Sequence, residues 1–333
     1  QETTSGGEVA RREGALYTPR PSSPAPPFPE HPTVTERRAS TNGHGNAAEP
    51  NDPAVERAHA RMQSDDELGL EFFGDYFAYA PAALALRECV RLAAMRGVEL
   101  PEPILDVGCG DGIFARLCYP ERQVWGIDIN PNEIRRAQST ATYSTLICGS
   151  ITTSDLPQNY FKSAIANCSL EHVPDIAGAF RTISRSLAPG APFVLIVPTP
   201  DWTHELLVPR ILDSVGLGGL ARSYRDGLDS VFHHVHLYDA KRWSELLGDA
   251  GFAIDRVEPI VSSGVAGAFD VLLYPSVSGW LVKRLTGHWT LMPPVRRAMA
   301  FVPKTVVRLL AAAMRRDVES MKPGELVIHA RKK

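Results

Sequence analysis

Ile104-Leu105-Asp106-Val107-Gly108-Cys109-Gly110-Asp111-Gly112 is the stretch on which the reading of this chain turns. Residues 104–107 are a short apolar run broken by one acid, with three glycines following in alternate positions. The run reads as a buried strand, and the glycines as a sharp turn into a helix through Phe114 and Leu117. Lacking a Cβ, glycine lets the backbone turn and lets a ligand approach main-chain N–H groups. In an open parallel sheet the ligand crevice lies at the carboxyl ends of the strands, near the point where strand order reverses. This turn therefore marks the floor of a binding site.

Outward from it the pattern alternates. Further strands are expected at 124–127, 145–148, 163–168 and 192–197, with two more at 252–258 and 325–330. Helices fall between them. Asn130-Pro131-Asn132-Glu133 gives an Asn cap, a Pro in the first turn and a Glu three residues on. Asp175 caps a helix carrying Ile176, Phe180, Ile183 and Leu187, spaced four, three and four. Asp239 caps another with Trp243, Leu246 and Leu247, stopped at Gly251. A helix over 82–95 precedes the first strand, with Gly97 as its stop, and the aromatic-rich segment 67–79 reads as a short helix covering a cleft or packing on the core. Strands alternating with helices imply a parallel sheet covered on both faces.

The glycine turn is not a dinucleotide fingerprint, which would be G-x-G-x-x-G. The third glycine comes one residue early, and Asp106 stands two residues before the first. A carboxylate there would oppose a pyrophosphate but suits an ammonium-bearing ligand, such as S-adenosylmethionine. Asp128 ends the second strand 20 residues past Gly108, placed to accept hydrogen bonds from ribose hydroxyls.

At this point the resemblance is plain. Residues 104–112 resemble the first motif of class I S-adenosylmethionine-dependent methyltransferases, and Trp125-Gly126-Ile127-Asp128-Ile129 resembles their second. Cys168-Ser169-Leu170-Glu171-His172-Val173-Pro174-Asp175 resembles the segment after the fourth strand in the small-molecule branch, and Leu187-Ala188-Pro189-Gly190-Ala191 the turn before the fifth. The similarity covers about 100–260 plus the last strand. It implies an α/β, Rossmann-like, doubly wound and mostly parallel seven-stranded sheet, with a helical insertion before the last strand. It implies S-adenosylmethionine as cofactor, with Asp106, Gly108, Cys109 and Gly110 at its methionine end, Asp128 on the ribose, Ile129 against the adenine, and Ser150 and Ile151 at the adenine edge. In the family an acid often stands where Ser150 does. Asn167 and His172 should lie near the sulfonium. The histidine-rich stretch before the helix capped by Asp239 often closes over the substrate in relatives.

Methyl transfer is an in-line displacement, helped by proximity and alignment. Hydroxyl or ammonium acceptors also need a base. Candidates are His172, His204, His233, His234 and His236, with His172 first and His233 or His234 second. The run 233–236 also invites a metal reading, but no carboxylate completes an obvious site and the chemistry requires no metal.

The rest of the chain bounds the setting. Residues 1–60 hold nine of the 27 prolines among Ser, Thr, Gly and Glu, with too little apolar surface to offset chain entropy, and read as a disordered extension. Residues 61–100 read as a helical N-terminal cap, 101–264 and 321–333 as the cofactor-binding domain, and 265–320 as a helical basic insertion. The 333-residue chain carries a formal charge of -3, which argues against a general nucleic-acid binder. From 270 to 333, however, 12 Lys and Arg face 4 Asp and Glu. Five cysteines without a CxxC pair fit a reducing, cytoplasmic setting. No secretory signal is read near Gln1, and 265–282, with Asp270, Pro275 and two glycines, is not read as a spanning helix.

The expected function is methylation of a small-molecule acceptor at oxygen, nitrogen or carbon. The alternatives are methylation of a lipid-linked or glycan acceptor at a membrane face, and a catalytically silent cofactor-binding scaffold. The insertion interleaves Trp280, Leu281, Trp289, Leu291, Phe301, Val306 and Leu309 with eight Lys and Arg. It is a candidate for peripheral contact with an anionic membrane, or else a cap whose apolar face packs on the domain and whose basic face is solvated.

Overall fold

The computed structural model describes residues 68–316 and 322–333. The extension expected over 1–60 lies outside the described residues.

Seven strands form one sheet: β1 (Ile104–Val107), β2 (Val124–Asp128), β3 (Tyr143–Cys148), β4 (Ser163–Asn167), β5 (Pro192–Pro198), β6 (Phe252–Ile260) and β7 (Glu325–Lys332). Their order is β3-β2-β1-β4-β5-β7-β6, parallel throughout except that β7 runs antiparallel to both β5 and β6. Strand order reverses between β1 and β4, so a crevice opens where the carboxyl ends of these two strands diverge.

Side chains alternate along a strand, and that alternation builds two cores. Ile104, Ile165, Val194 and Ile196 face one side, while Leu105, Ala164, Phe193 and Leu195 face the other. The second face is closed by α5 (Ile176–Ser186) and α8 (Ala240–Asp249), through Phe180, Ile183, Trp243 and Leu247. Both helices start as the sequence predicts: Asp175 accepts from Gly178 N at 2.9 Å, and Asp239 from Arg242 N at 2.7 Å.

The first face is closed from outside the alternating pattern. There lie α1 (Phe73–Tyr79), α2 (Ala82–Ala94), the first half of α9 (Ser263–Thr286) and α11 (Phe301–Ala313). The remaining helices are α3 (Ile113–Cys118) after the glycine turn, α4 (Pro131–Ser139), α6 (Leu207–Ser214), α7 (Gly218–Phe232) and α10 (Pro293–Met299). No helix was expected at α6 or α7. The insertion begins at Ser263 rather than 265, with Ser262 as its cap.

Residues 265–282 belong to one 24-residue helix that runs straight through Pro275. It is the one helix among the described residues long and apolar enough to cross a membrane, yet Ser263–Asp270 are buried in the fold. Asp270 anchors that half, accepting from Val208 N at 2.7 Å and from the Tyr224 hydroxyl.

Two arginines tie the caps to the sheet. Arg87 and Arg91 of α2 both donate to Glu325, the first residue of β7, which is fully buried. Burial alone would push the Glu325 carboxyl up, but the two guanidiniums outweigh it and hold the group down at about 2.

Candidate functional site

The turn after β1 is locked to the end of β2. Gly108 N and Cys109 N both donate to Ile127 O, at 2.7 and 3.1 Å. Gly110 N donates to Asp128 Oδ2 at 3.0 Å, while Asn130 N donates to Asp128 Oδ1 at 2.8 Å. Asp128 thus bridges the glycine turn and the cap of α4. The expected reciprocal capping by Glu133 is replaced: its carboxylate binds Arg136 and Lys283 instead.

Two glycines are required here for different reasons. At Gly108, φ is +73° and a Cβ would lie 2.2 Å from Ser169 Cβ. Ser169 follows β4, and its Oγ donates to Val107 O at 2.6 Å, so the two loops meet at the switch point. At Gly110, φ is +54° and nothing lies within 4 Å of where a Cβ would be. Gly108 is packed against protein; Gly110 faces open space.

Asp106 is buried, and no cation pairs with it among the described residues. Tyr143 donates its hydroxyl to Asp106 Oδ2 at 2.8 Å. Burial pushes the Asp106 carboxyl up to about 7, against the pull of that hydrogen bond. Ile129, just past β2, leaves 72% of its surface exposed. Ile151 is buried, and Ser150 turns its hydroxyl onto its own loop, 2.8 Å from Thr152 Oγ1. Gly149 N donates to Asp128 O at 3.0 Å, joining this loop to the acid.

Asn167 ends β4. Its Nδ2 donates to Glu88 Oε2 at 3.0 Å, and its Oδ1 is buried with no protein partner. Glu88, on α2, also accepts from Arg91 at 2.5 Å and Tyr76 at 3.5 Å. Sequence reasoning did not single out Glu88. The available signal was Arg87, Glu88 and Arg91 standing together in an otherwise apolar helix.

The histidines divide into roles. Val235 N and His236 N both donate to Glu171 O, at 3.0 and 2.9 Å, and His236 Nε2 bonds Val173 O at 3.0 Å. The segment 233–238 is therefore a strap laid over the loop after β4, not a strand. Tyr238 donates to His236 Nδ1 at 2.9 Å, so both nitrogens of that ring are used in holding the strap. His172 Nδ1 bonds His233 O at 3.0 Å, and its ring stacks on His234, centroids 5.6 Å apart. His234 is boxed in by Trp202 and Phe232 and sits 3.4 Å from Asp229. His233 meets His172 through its carbonyl. His204 pairs instead with Asp201 at 3.0 Å.

His172 has the geometry of a base. Donation of Nδ1–H to a carbonyl fixes the tautomer and leaves Nε2 with a free lone pair. Burial lowers its pKa below the ordinary 6.5, so the ring is neutral at pH 7. Beside it, Glu171 Oε1 lies 3.6 Å from Nε2, and burial pushes that carboxyl up to about 8. Among the described residues no three His, Cys, Asp or Glu are grouped to hold a metal. A groove of about 510 Å³ lies elsewhere, between α1, α10 and Arg116, and shares no residue with this cleft.

Residues 76–257, more than half of the chain, match the family model of a methyltransferase domain. The chain belongs to the class I S-adenosylmethionine-dependent methyltransferase family. Trans-aconitate 2-methyltransferase of Escherichia coli is 33% identical over 181 residues, 52% of this chain and 66% of that protein. An uncharacterized methyltransferase of Mycobacterium bovis is 31% identical over 107 residues, 31% of this chain and 54% of that one. The chain thus spans about half the length of that relative. A solved S-adenosylmethionine-dependent methyltransferase from Mesorhizobium loti is 21% identical, with a TM-score of 0.42 over 72% of this chain and 96% of the other.

The cleft fits the methyltransferase's cofactor. Among the described residues Asp106 is a buried acid without a cation, suited to an ammonium. Asn167 Oδ1 is a buried acceptor without a donor. The open side of Gly110 admits a ligand against the main chain, and Ile129 offers an uncovered apolar face.

Proposed function

We propose that this methyltransferase acts on a small-molecule acceptor, with His172 as the base that takes the acceptor's proton. The observation that carries the reading is the strap: 233–238 is hydrogen-bonded onto Glu171 and Val173 over the loop after β4, and a covered loop beside the proposed base suits a compact acceptor better than a polymer. Bound S-adenosylmethionine supplies an electrophilic methyl group on a sulfonium. Asp106 and Asn167 orient the methionine end, and Gly108, Cys109 and Gly110 form the floor. Asp128 holds the ribose, Ile129 and Ile151 flank the adenine with the Ser150 main chain, and His234 keeps the His172 ring in place by stacking. His233 serves through its carbonyl, which sets the His172 tautomer. A cytoplasmic setting accords with five unpaired cysteines.

Calorimetric titration with S-adenosylmethionine and S-adenosylhomocysteine, beside Asp128→Ala, tests the cofactor assignment. Micromolar binding, about -8 kcal/mol, should be lost in the variant. Release of S-adenosylhomocysteine is then followed against a panel of small alcohols, phenols, amines and carboxylic acids. Binding without turnover on any of them would favour the scaffold reading.

A further inference from the structure

The insertion leaves an apolar surface uncovered. Among the described residues, 13 of the 22 exposed large apolar side chains lie between Tyr274 and Leu309, a concentration in one stretch of chain that single scattered exposures do not give. They recur at helical spacing. Val277, Leu281 and Leu285 line one face of α9, Met292, Val295 and Met299 follow through α10, and Val302, Val306 and Leu309 line α11. The opposite face of α11, with Val307 and Ala311, packs inward.

Charge separates this surface from others that expose apolar groups. Residues 271–316 contain eight Lys and Arg and no Asp or Glu. Lys283, Arg297 and Arg316 pair with Glu133, Asp75 and Glu205 of other elements and Arg296 donates to main-chain carbonyls, while Arg284 and Arg308 stand exposed among the apolar side chains. Residues 207–232 also expose Ile211, Val215, Leu220 and Val231, but carry three Arg and three Asp. A partner for 271–316 is therefore anionic as well as apolar. Arg284 lies over Trp280, 5.5 Å from the ring, and Lys283 over Trp289 at 4.3 Å. Such pairs suit the level of lipid headgroups.

We infer that the exposed faces of α9, α10 and α11 dock on the surface of an anionic lipid bilayer. The helix α9 lies on the membrane and does not cross it, because its first half is buried and Asp270 is bound to Val208 and Tyr224. This inference is independent of which acceptor is methylated.

Flotation of the full chain with vesicles tests it. Wild type should rise with vesicles of equal parts phosphatidylcholine and phosphatidylglycerol at low salt, and remain behind with phosphatidylcholine alone. Leu285→Glu/Phe301→Glu, at two side chains each 77% exposed, should abolish flotation while thermal unfolding is unchanged. Arg284→Ala/Arg308→Ala should partition about 30-fold more weakly, at roughly fivefold per cation. Absence of flotation with anionic vesicles overturns the inference, as does undiminished flotation of the glutamate variant. A lipid-free dimer that the same variant dissociates, with no flotation of wild type, would assign the surface to a second copy of the chain.

Discussion

The Tyr143 hydroxyl, on β3, donates to Asp106 Oδ2 on β1 across the intervening strand β2, at 2.8 Å. This is the hydrogen bond that keeps the cleft's buried acid from rising further than about 7. Loss of the tyrosine hydroxyl would leave the acid more easily neutralised.

Cofactor binding should therefore be proton-linked. Asp106 is about half protonated near pH 7, and an ammonium beside it favours the carboxylate. Affinity should rise as pH increases through about 7, with a net release of protons on binding below and around that pH. Calorimetry in buffers of different ionisation enthalpy measures that release. Tyr143→Phe should move the midpoint upward, and a downward move would refute the assignment.

The free protein should also lose stability as pH rises. Asp106, Asp111 at about 6 and Glu171 at about 8 all titrate above their ordinary values of 3.8 to 4.5 because burial disfavours the charge. The folded state then binds more protons than the unfolded one. Their contribution is full below the unfolded values and is lost as pH climbs through the folded ones. His172, lowered by burial, works in the opposite sense. Melting temperatures at about pH 6 and about pH 8.5 compare the two, and the lower one is expected at the higher pH.

Gly108→Ala and Gly110→Ala should separate packing from ligand access. Each strains a left-handed residue by roughly 1–2 kcal/mol. At Gly108 the new methyl also collides with Ser169, so both melting temperature and cofactor affinity should fall further. At Gly110 it meets no protein atom, so affinity should fall while stability drops by the strain alone. Equal stability losses in the two variants would argue against this division.

Glu325→Ala should cost about 3–5 kcal/mol, as removal of one partner from a buried ion cluster does, because Arg87 would be left buried without its carboxylate and Arg91 with Glu88 alone. The intact cluster confers acid sensitivity of known sign. A folded value of about 2 against an ordinary 4.5 gives stability that is present above pH 4.5 and lost as pH falls toward 2. Chemical denaturation across that range reads it.

His172→Gln should lower kcat by about 10²–10⁴, the contribution of a positioned general base, with cofactor affinity nearly unchanged. In wild type, kcat/KM should rise with pH through a value below 6.5 and that limb should vanish in the variant. A preserved limb would move the base elsewhere in the cleft.

The half of the molecule that binds cofactor was legible in the sequence because local chemistry dictates it. Glycines at 108 and 110 need positive φ, Asp175 and Asp239 cap what they precede, and strand alternation assigns each residue a face. Helices α6 and α7 were less legible, since they carry mixed charges and exposed apolar groups without a clear buried stripe. The segment 265–282 was legible as helical and as not spanning a membrane, but the sequence did not show that one helix continues through Pro275 from Ser263 to Thr286. Glu88 showed only as one of three charges in an otherwise apolar helix; its partner Asn167 is 79 residues away, and no local pattern announces such a pair.

Ile260, the last residue of β6, stands opposite Glu325, the first of β7, in an antiparallel pair. The 64 residues between them leave the sheet and return to it at a single place. They are topologically an overgrown hairpin loop, and closing such a loop becomes only slowly costlier with length. Selection can therefore lengthen, shorten or exchange the outer part of this excursion, beyond the faces of α9 and α11 buried against the sheet, while the register of the strands beneath it, and with it the glycine turn after the central strand β1, stays fixed. Divergence between relatives should concentrate there, so that new acceptors or new cellular addresses arise without rebuilding the half that handles the methyl donor.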